Sequence, residues 1–368
     1  MKRFFMRYRG LHLWLGADLA VLAVFFLARG NRPLMNALAA RVTCPARQAI
    51  GRVCYLVPFS VMEALCGLLI LGAAGYVLWT LAAVFRARGR RRAGRLYAGV
   101  LGALCAALTV YGGFCLLLGI DSAADGFQEK SGICARPVAQ EDLLAVTEYF
   151  AEQLSRVSGR VARDENGLFA VPREEILQNS VHAYDAVEQQ FPFLAFEDLG
   201  VKPVYFSRVM SALDFTGVYC PFTGESNVNM DSPACLLAST IAHELAHQRG
   251  ITSEQECNFL AVLASTTCGD DVYAYAGWLM GYIHLGNALY RADPEAYERV
   301  RSSLPETVLA DLRAQSAYWD QFRDKAVQKV SNQVYDRFLK GYGQEQGIQS
   351  YGTVVDLLVV YYREAAQR

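Results

Sequence analysis

Acidic side chains are nearly missing from one end of this 368-residue chain: residues 1–120 hold 15 Lys and Arg but only Asp18 and Glu63, a net of +13. The rest holds 20 basic and 34 acidic side chains, a net of −14. So uneven a division argues against one uniform soluble body. The acidic part lacks a basic run, which argues against nucleic acid as a partner, because phosphate binding needs a positive surface. No C-x-x-C spacing occurs among the ten cysteines, so a zinc site built from cysteine is not supported. Internal repeats and low-complexity tracts are absent too. Histidine is scarce, with five in the chain.

Charge is missing altogether from Leu96 to Ile120, and Val61 to Phe85 carries only Glu63, so each stretch is long enough to cross a bilayer as a helix. Leu11 to Ala28 is shorter and contains His12 and Asp18; the basic start Lys2, Arg3, Arg7 and Arg9 also permits a signal-peptide reading. Phe26-Leu27-Ala28-Arg29 has no small-x-small cleavage pattern, which favours an uncleaved span. Residues 1–120 therefore read as a membrane region with transmembrane helices at about 11–28, 61–85 and 96–120. Four basic residues at the N-terminus and six in the 86–95 loop, against five spread over the loop 29–60, place the N-terminus and the 86–95 loop inside. Three spans then carry everything after Ile120 out of the cytoplasm, giving a multi-pass protein of the cell membrane with an extracytoplasmic C-terminal domain. There Cys134, Cys220, Cys235, Cys257 and Cys268 leave at least one thiol over, and Cys220 with Cys235 is the first pair to test.

A polar connector, 121–136, leads into a domain over 137–368. Leu143, Leu144, Val146, Phe150 and Leu154 give an amphipathic helix from about Glu141 to Val157, and a second runs from about Arg173 until Gln190, before Pro192. His182 in the second has no partner motif. Between Lys202 and Asn229, Val204-Tyr205-Phe206 and Gly217-Val218-Tyr219-Cys220 read as short strands with turns at Pro221 and Gly224. An exposed edge there would suit an extended peptide held by backbone hydrogen bonds; a hairpin packed on helices fits as well. Further helices are expected at Val272–Arg291, Glu306–Lys340 and Thr353–Ala365. The fold class is mainly α with a small β-sheet, an α+β domain after three transmembrane helices.

The chain is organised around Thr240-Ile241-Ala242-His243-Glu244-Leu245-Ala246-His247-Gln248. On a helix His243 and His247 lie one above the other and reach one ion, while Glu244 stands where a base would activate water. Leu236, Leu237, Ile241 and Leu245 give the segment an apolar side, so it packs into a core where two histidines and a carboxylate need a use. A third ligand is required. Gly250 suits a left-handed end to this helix, and Ser253-Glu254-Gln255-Glu256 reads as the capping box of the next, with Ser253 as N-cap and Glu256 at N3. That leaves Glu254 as the favoured ligand and Glu256 as the alternative, with Asn258, one turn on, hydrogen-bonding a ligating histidine.

The runs Gly217 to Asn229, His243 to Gly250, Glu254 to Phe259, Tyr335 to Lys340 and Gly347 to Gly352 resemble an uncharacterised family of bacterial membrane proteins known as domain of unknown function 3810. The likeness covers nearly the whole chain and implies a zincin-like domain without a known substrate. More distantly, Glu254-x-x-Cys257-Asn258 is similar to the Glu-x-x-small-Asp element of gluzincin peptidases, which supports Glu254 as ligand. Asn258 stands where those enzymes have an acid, and the six residues between His247 and Glu254 are fewer than in most of them.

Together these features lead us to expect a membrane-anchored metallopeptidase with one Zn2+, acting on a peptide or protein substrate with Glu244 as general base. Tyr351 and His284 are weak candidates to steady an oxyanion, and packing explains both better. A non-peptidase zinc hydrolase, or a zinc-binding sensor or scaffold without catalysis, uses the same residues. An intact Glu244 favours catalysis over a purely structural site.

Overall fold

The computed structural model describes residues 6–323, 328–333, 336 and 351–367, apart from the side chains of Arg90 and Tyr351. Three helices are long and apolar enough to cross a membrane: α1 (Arg9–Ala28), α4 (Val61–Arg86) and a third that starts as α5 (Arg90–Phe114) and continues through a π-helical turn, Cys115–Gly119. The stretch between α1 and α4, expected as a loop, is largely helical, with α2 (Arg32–Leu38), a π-helical turn Ala39–Thr43 and α3 (Cys44–Cys54). Its pattern is hard to read because apolar side chains occupy its outward face and an arginine its inward one. Ser60 caps α4 by accepting from the Glu63 N–H at 3.1 Å.

The remainder is mainly helical with one small sheet. After α6 (Phe127–Ser131), the helix α7 (Gln140–Ser158) matches its expected span within a residue at each end. Arg173 to Gln190 is not one helix: α8 (Arg173–Gln178) passes into a 3-10 turn, Asn179–His182, before α9 (Asp185–Gln190). Asn179 leaves the helical pattern to donate to Asp270 at 2.8 Å, and Ser180 is buried. His182 is at the surface, paired with Asp185 at 3.1 Å.

Strand β1 (Lys202–Val204) ends before Tyr205, so it lies two residues earlier than the expected strand, and α10 (Ser207–Ala212) follows. Strands β2 (Gly217–Cys220) and β3 (Glu225–Asn229) form a hairpin with Gly217 opposite Val228 and Cys220 opposite Glu225. Strand β1 pairs parallel to β3, which gives the order β1-β3-β2 and leaves β2 at an edge. All five residues of β3 are buried although four are polar. Each polar group has a partner: Glu225 takes the Lys202 ammonium at 2.6 Å, Ser226 donates to the Glu244 carbonyl at 2.9 Å, Asn227 accepts from Ser60 at 2.7 Å, and Asn229 donates to Ser211 at 2.8 Å.

Behind the sheet stand α11 (Leu237–Gln248), α12 (Glu254–Thr267) and α13 (Asp271–Ala292), with α7 and α16 (Tyr351–Ala366) packed beyond them; α14 (Pro294–Ser302) and α15 (Glu306–Asp320) come between α13 and α16 in sequence. The core joins Ile241, Leu245, Phe259 and Leu260 to an aromatic group in which Phe150 lies 4.8 Å from Trp278 and 4.9 Å from Tyr362. Helix α15 stops at Asp320 in a turn, and much of its expected continuation to Lys340 lies outside the described residues. Cys220 and Cys235, the pair singled out for a disulfide, are both thiols.

Candidate metal centre

Helix α11 ends as Gly250 adopts a φ of 86°, a conformation glycine reaches without strain. The Gly250 N–H donates to the His247 carbonyl at 3.0 Å and the Ile251 N–H to the Ala246 carbonyl at 3.2 Å, a glycine-based helix stop. This turn brings the Ile251 carbonyl within 2.8 Å of His247 Nδ1. A carbonyl only accepts, so that nitrogen carries the proton and Nε2 keeps its lone pair. Likewise His243 Nδ1 lies 2.8 Å from Asn258 Oδ1, which turns His243 Nε2 toward the same point.

Ser253 is the N-cap position of α12, so Glu254 opens the helix and faces the two imidazoles. His243 Nε2 is 3.2 Å from His247 Nε2 and 3.1 Å from one Glu254 oxygen, and His247 Nε2 is 3.6 Å from the other. A tetrahedral ion with bonds of about 2.0–2.2 Å sets its ligands roughly 3.3–3.6 Å apart, so the trio fits a single divalent ion with nitrogen and oxygen ligands. Among the described residues this is the one group of three with that property.

Burial lowers His243, but the hydrogen bond and charge of Glu254 outweigh it and raise the imidazole to about 9. Burial holds His247 below its ordinary value. In the absence of an ion, Glu254 therefore draws a proton onto His243 while His247 stays neutral. Glu244 is buried one residue along from His243. Burial, opposed by His243 and helped by Glu254, raises its carboxyl to about 8. Its Oε2 has no hydrogen-bond partner among the described residues, and its other side lies on Gly217. A Cβ at Gly217 would stand 2.5 Å from Glu244 Oε1, so glycine at the start of the edge strand makes room for this carboxylate.

Glu256 turns the opposite way. Its carboxylate accepts from the Phe127 N–H at 2.8 Å and the Gln128 N–H at 3.1 Å, capping α6, while Ser253 makes no side-chain cap. The capping box expected within α12 is therefore replaced by a cap across the fold, because Gly126 lets α6 approach the carboxylate. His284 on α13 is kept neutral, at about 4, by burial and the charge of His243. The Tyr351 side chain lies outside the described residues.

Three further residues lie near the site, and two of them, Arg249 and Gly217, fall inside the runs that carry the family resemblance. Arg249 is buried at the end of α11, 2.7 Å from Glu188, 2.6 Å from Asp198 and over the Tyr184 ring at 3.9 Å. A cation there suits the helix dipole. Arg47 reaches in from α3, pairs with Asp121 at 2.5 Å and lies over the Tyr219 ring. Gly217 is the third.

The family profile described as "Protein of unknown function (DUF3810)" matches residues 43–359. The chain belongs to that family. In this DUF3810 member the match begins at Thr43, so it takes in Arg47, the second and third spans and the whole trio. No curated protein and no solved structure matches the chain.

Proposed function

We propose that this protein is a membrane-anchored zinc metallopeptidase, with the metal held by His243, His247 and Glu254. The observation that carries the reading is the convergence of three acceptor atoms, each histidine with its other nitrogen already engaged, beside the buried Glu244 on the same helix. Nitrogen and carboxylate ligands at this spacing suit zinc. Bound zinc supplies Lewis acidity and makes a water acidic enough to lose its proton near neutral pH.

The chain's own groups then do the rest. With a cation held by the trio the raised value of Glu244 would come back down, and as a carboxylate with one oxygen unpartnered it would accept the proton of the attacking water and return it to the leaving amine. Asn258 and the Ile251 carbonyl fix both imidazoles, so the ligands do not reorient. Edge strand β2 begins where Gly217 touches Glu244, so a peptide added along that edge has its backbone beside the base. Neutral His284 is the candidate to donate to a developing oxyanion.

The test is metal content and hydrolysis on the purified full chain. Wild type binds about one zinc per chain, and Glu244→Gln keeps the zinc while hydrolysis falls by about 10²–10⁴. A zinc-loaded wild type without turnover on peptide and other hydrolysable libraries would transfer the site to sensing or scaffolding.

A further inference from the structure

The segment joining the first two spans has two contrasting faces. On one, Thr43, Arg47 and Gly51 are buried. Thr43 donates to Asp121 at 3.1 Å beside the Arg47 pair, and Gly51 packs under Leu199 and the Gly224 carbonyl of the β2–β3 turn. On the other, Val42, Pro45, Ala49, Val53 and Leu56 are exposed, at spacings of three and four that set them in one stripe. Leu56 is 82% exposed and Val53 66%.

The stripe does not end with the helix. Phe59 is exposed just before the cap of α4, and the Lys202 ammonium donates to the Cys54 and Phe59 carbonyls at 2.8 Å each, which ties this stretch to β1. Directly after β1, Tyr205 and Phe206 are 86% and 62% exposed. Their N–H groups donate to Glu63 at 2.8 and 2.9 Å, and Glu63 is the third residue of the second span. One apolar band therefore runs along the strap to the mouth of α4.

A band of this size on a soluble surface marks a partner. Here chain continuity names it. The strap starts four residues after Ala28, where α1 ends, and finishes at Ser60, the cap of α4, so both ends are anchored to membrane spans. No Asp or Glu occurs from Leu19 to Met62, while Arg29 and Arg41 are exposed in that stretch, a balance suited to phospholipid headgroups.

We propose that the strap lies flat in the bilayer interface on the metal domain's side, with Val42, Pro45, Ala49, Val53 and Leu56 among the lipid chains. Phe59, Tyr205 and Phe206 complete the seat as interfacial aromatics do, and the sheet rides on the strap's buried face. The Gly51–Gly224 contact then sets the β2–β3 turn about one helix diameter, about 10 Å, from the lipid. Phe222 in that turn lies 6.5 Å from Phe114 of the third span, in keeping with this height.

The experiment uses the full wild-type chain in vesicles of phosphatidylethanolamine and phosphatidylglycerol and does not depend on activity. A membrane-partitioned aryl diazirine is photolysed and the labelled peptides are identified by mass spectrometry. Peptides covering Val42–Phe59 and Tyr205–Phe206 should carry label severalfold above α14 and close to the level of the spans. In parallel, hydroxyl-radical oxidation of Leu56, Tyr205 and Phe206 should be severalfold slower than that of Tyr290, exposed on α13. Oxidation at the Tyr290 rate overturns the proposal. So does a band that is oxidised slowly yet takes no label, since it is then covered by protein rather than lipid.

Discussion

Glu254 and Glu256 stand two residues apart, and their carboxylates do unrelated work. Glu254→Ala should strip the metal, because two histidines alone hold an ion poorly. Glu256→Ala should keep it but leave the buried Phe127 N–H and the Gln128 N–H without an acceptor, costing about 1–3 kcal/mol per lost acceptor. Metal analysis beside thermal melting separates the two. Gly217→Ala tests the contact that frees Glu244: its Cβ would push the carboxylate aside, so hydrolysis should fall by at least about tenfold with zinc retained. The proton on His243 gives a pH signature. Zinc must displace a proton held up to about pH 9, so apparent affinity, read with metal buffers, should rise about tenfold per pH unit toward that value and then level off. Stability after chelation runs the other way. The raised His243 value means its contribution is complete below the unfolded value near 6.5 and lost as pH climbs through about 9, and neutral Glu244, raised to about 8, is lost in the same direction. Because the Glu244 loss starts from its unfolded value near 4.5, melting temperatures with a chelator present should drop between about pH 4.5 and 9. At this scale the pairing of His243 with His247 and of Glu254 with Asn258 could be read in sequence because helical spacing fixes which side chains share a face, whereas the preference for Glu254 over Glu256 came from a capping box that the fold does not contain. The role of Glu256 could not be read, since its partners lie well over a hundred residues away.

Among the elements, α7, α13 and α16 were readable because each buries one long apolar stripe, and the three spans because they carry almost no charge. Strand β3 was not. Glu225-Ser226-Asn227-Val228-Asn229 has the composition of a turn, and it forms a buried strand because four partners on other elements satisfy its polar groups. Such satisfaction is invisible without the neighbours. The same cause hid the strap, whose Arg47 faces inward to Asp121 while valine and leucine face outward, the reverse of an ordinary surface helix. Strap, sheet and α11 form a continuous stack: Glu225 accepts from the Val61 and Met62 N–H groups at 3.1 and 2.8 Å at the start of α4, and its neighbour Ser226 donates to the Glu244 carbonyl. Glu244 is thus one strand away from the end of the second long apolar helix.

For the molecule as a whole, three helices that each cross the bilayer would alternate direction, which would set the strap, the connector and the domain after them on one side and the 86–95 loop on the other. Which side is which rests on charge. Arg86, Arg88, Arg90, Arg91, Arg92 and Arg95 crowd one short loop, and four more basic residues precede α1, against five between α1 and α4. Of those five, Arg47 is buried against Asp121 and Arg52 pairs with Glu197, so the positive charge that the strap side offers to membrane insertion is smaller still. We therefore expect the metal domain outside the cytoplasm. A reporter enzyme that works only outside, fused after Arg368, should be active, and the same reporter placed in the 86–95 loop should be silent. The opposite pair of results would put the domain in the cytoplasm, leaving the trio and the strap as they are but changing which peptides reach them.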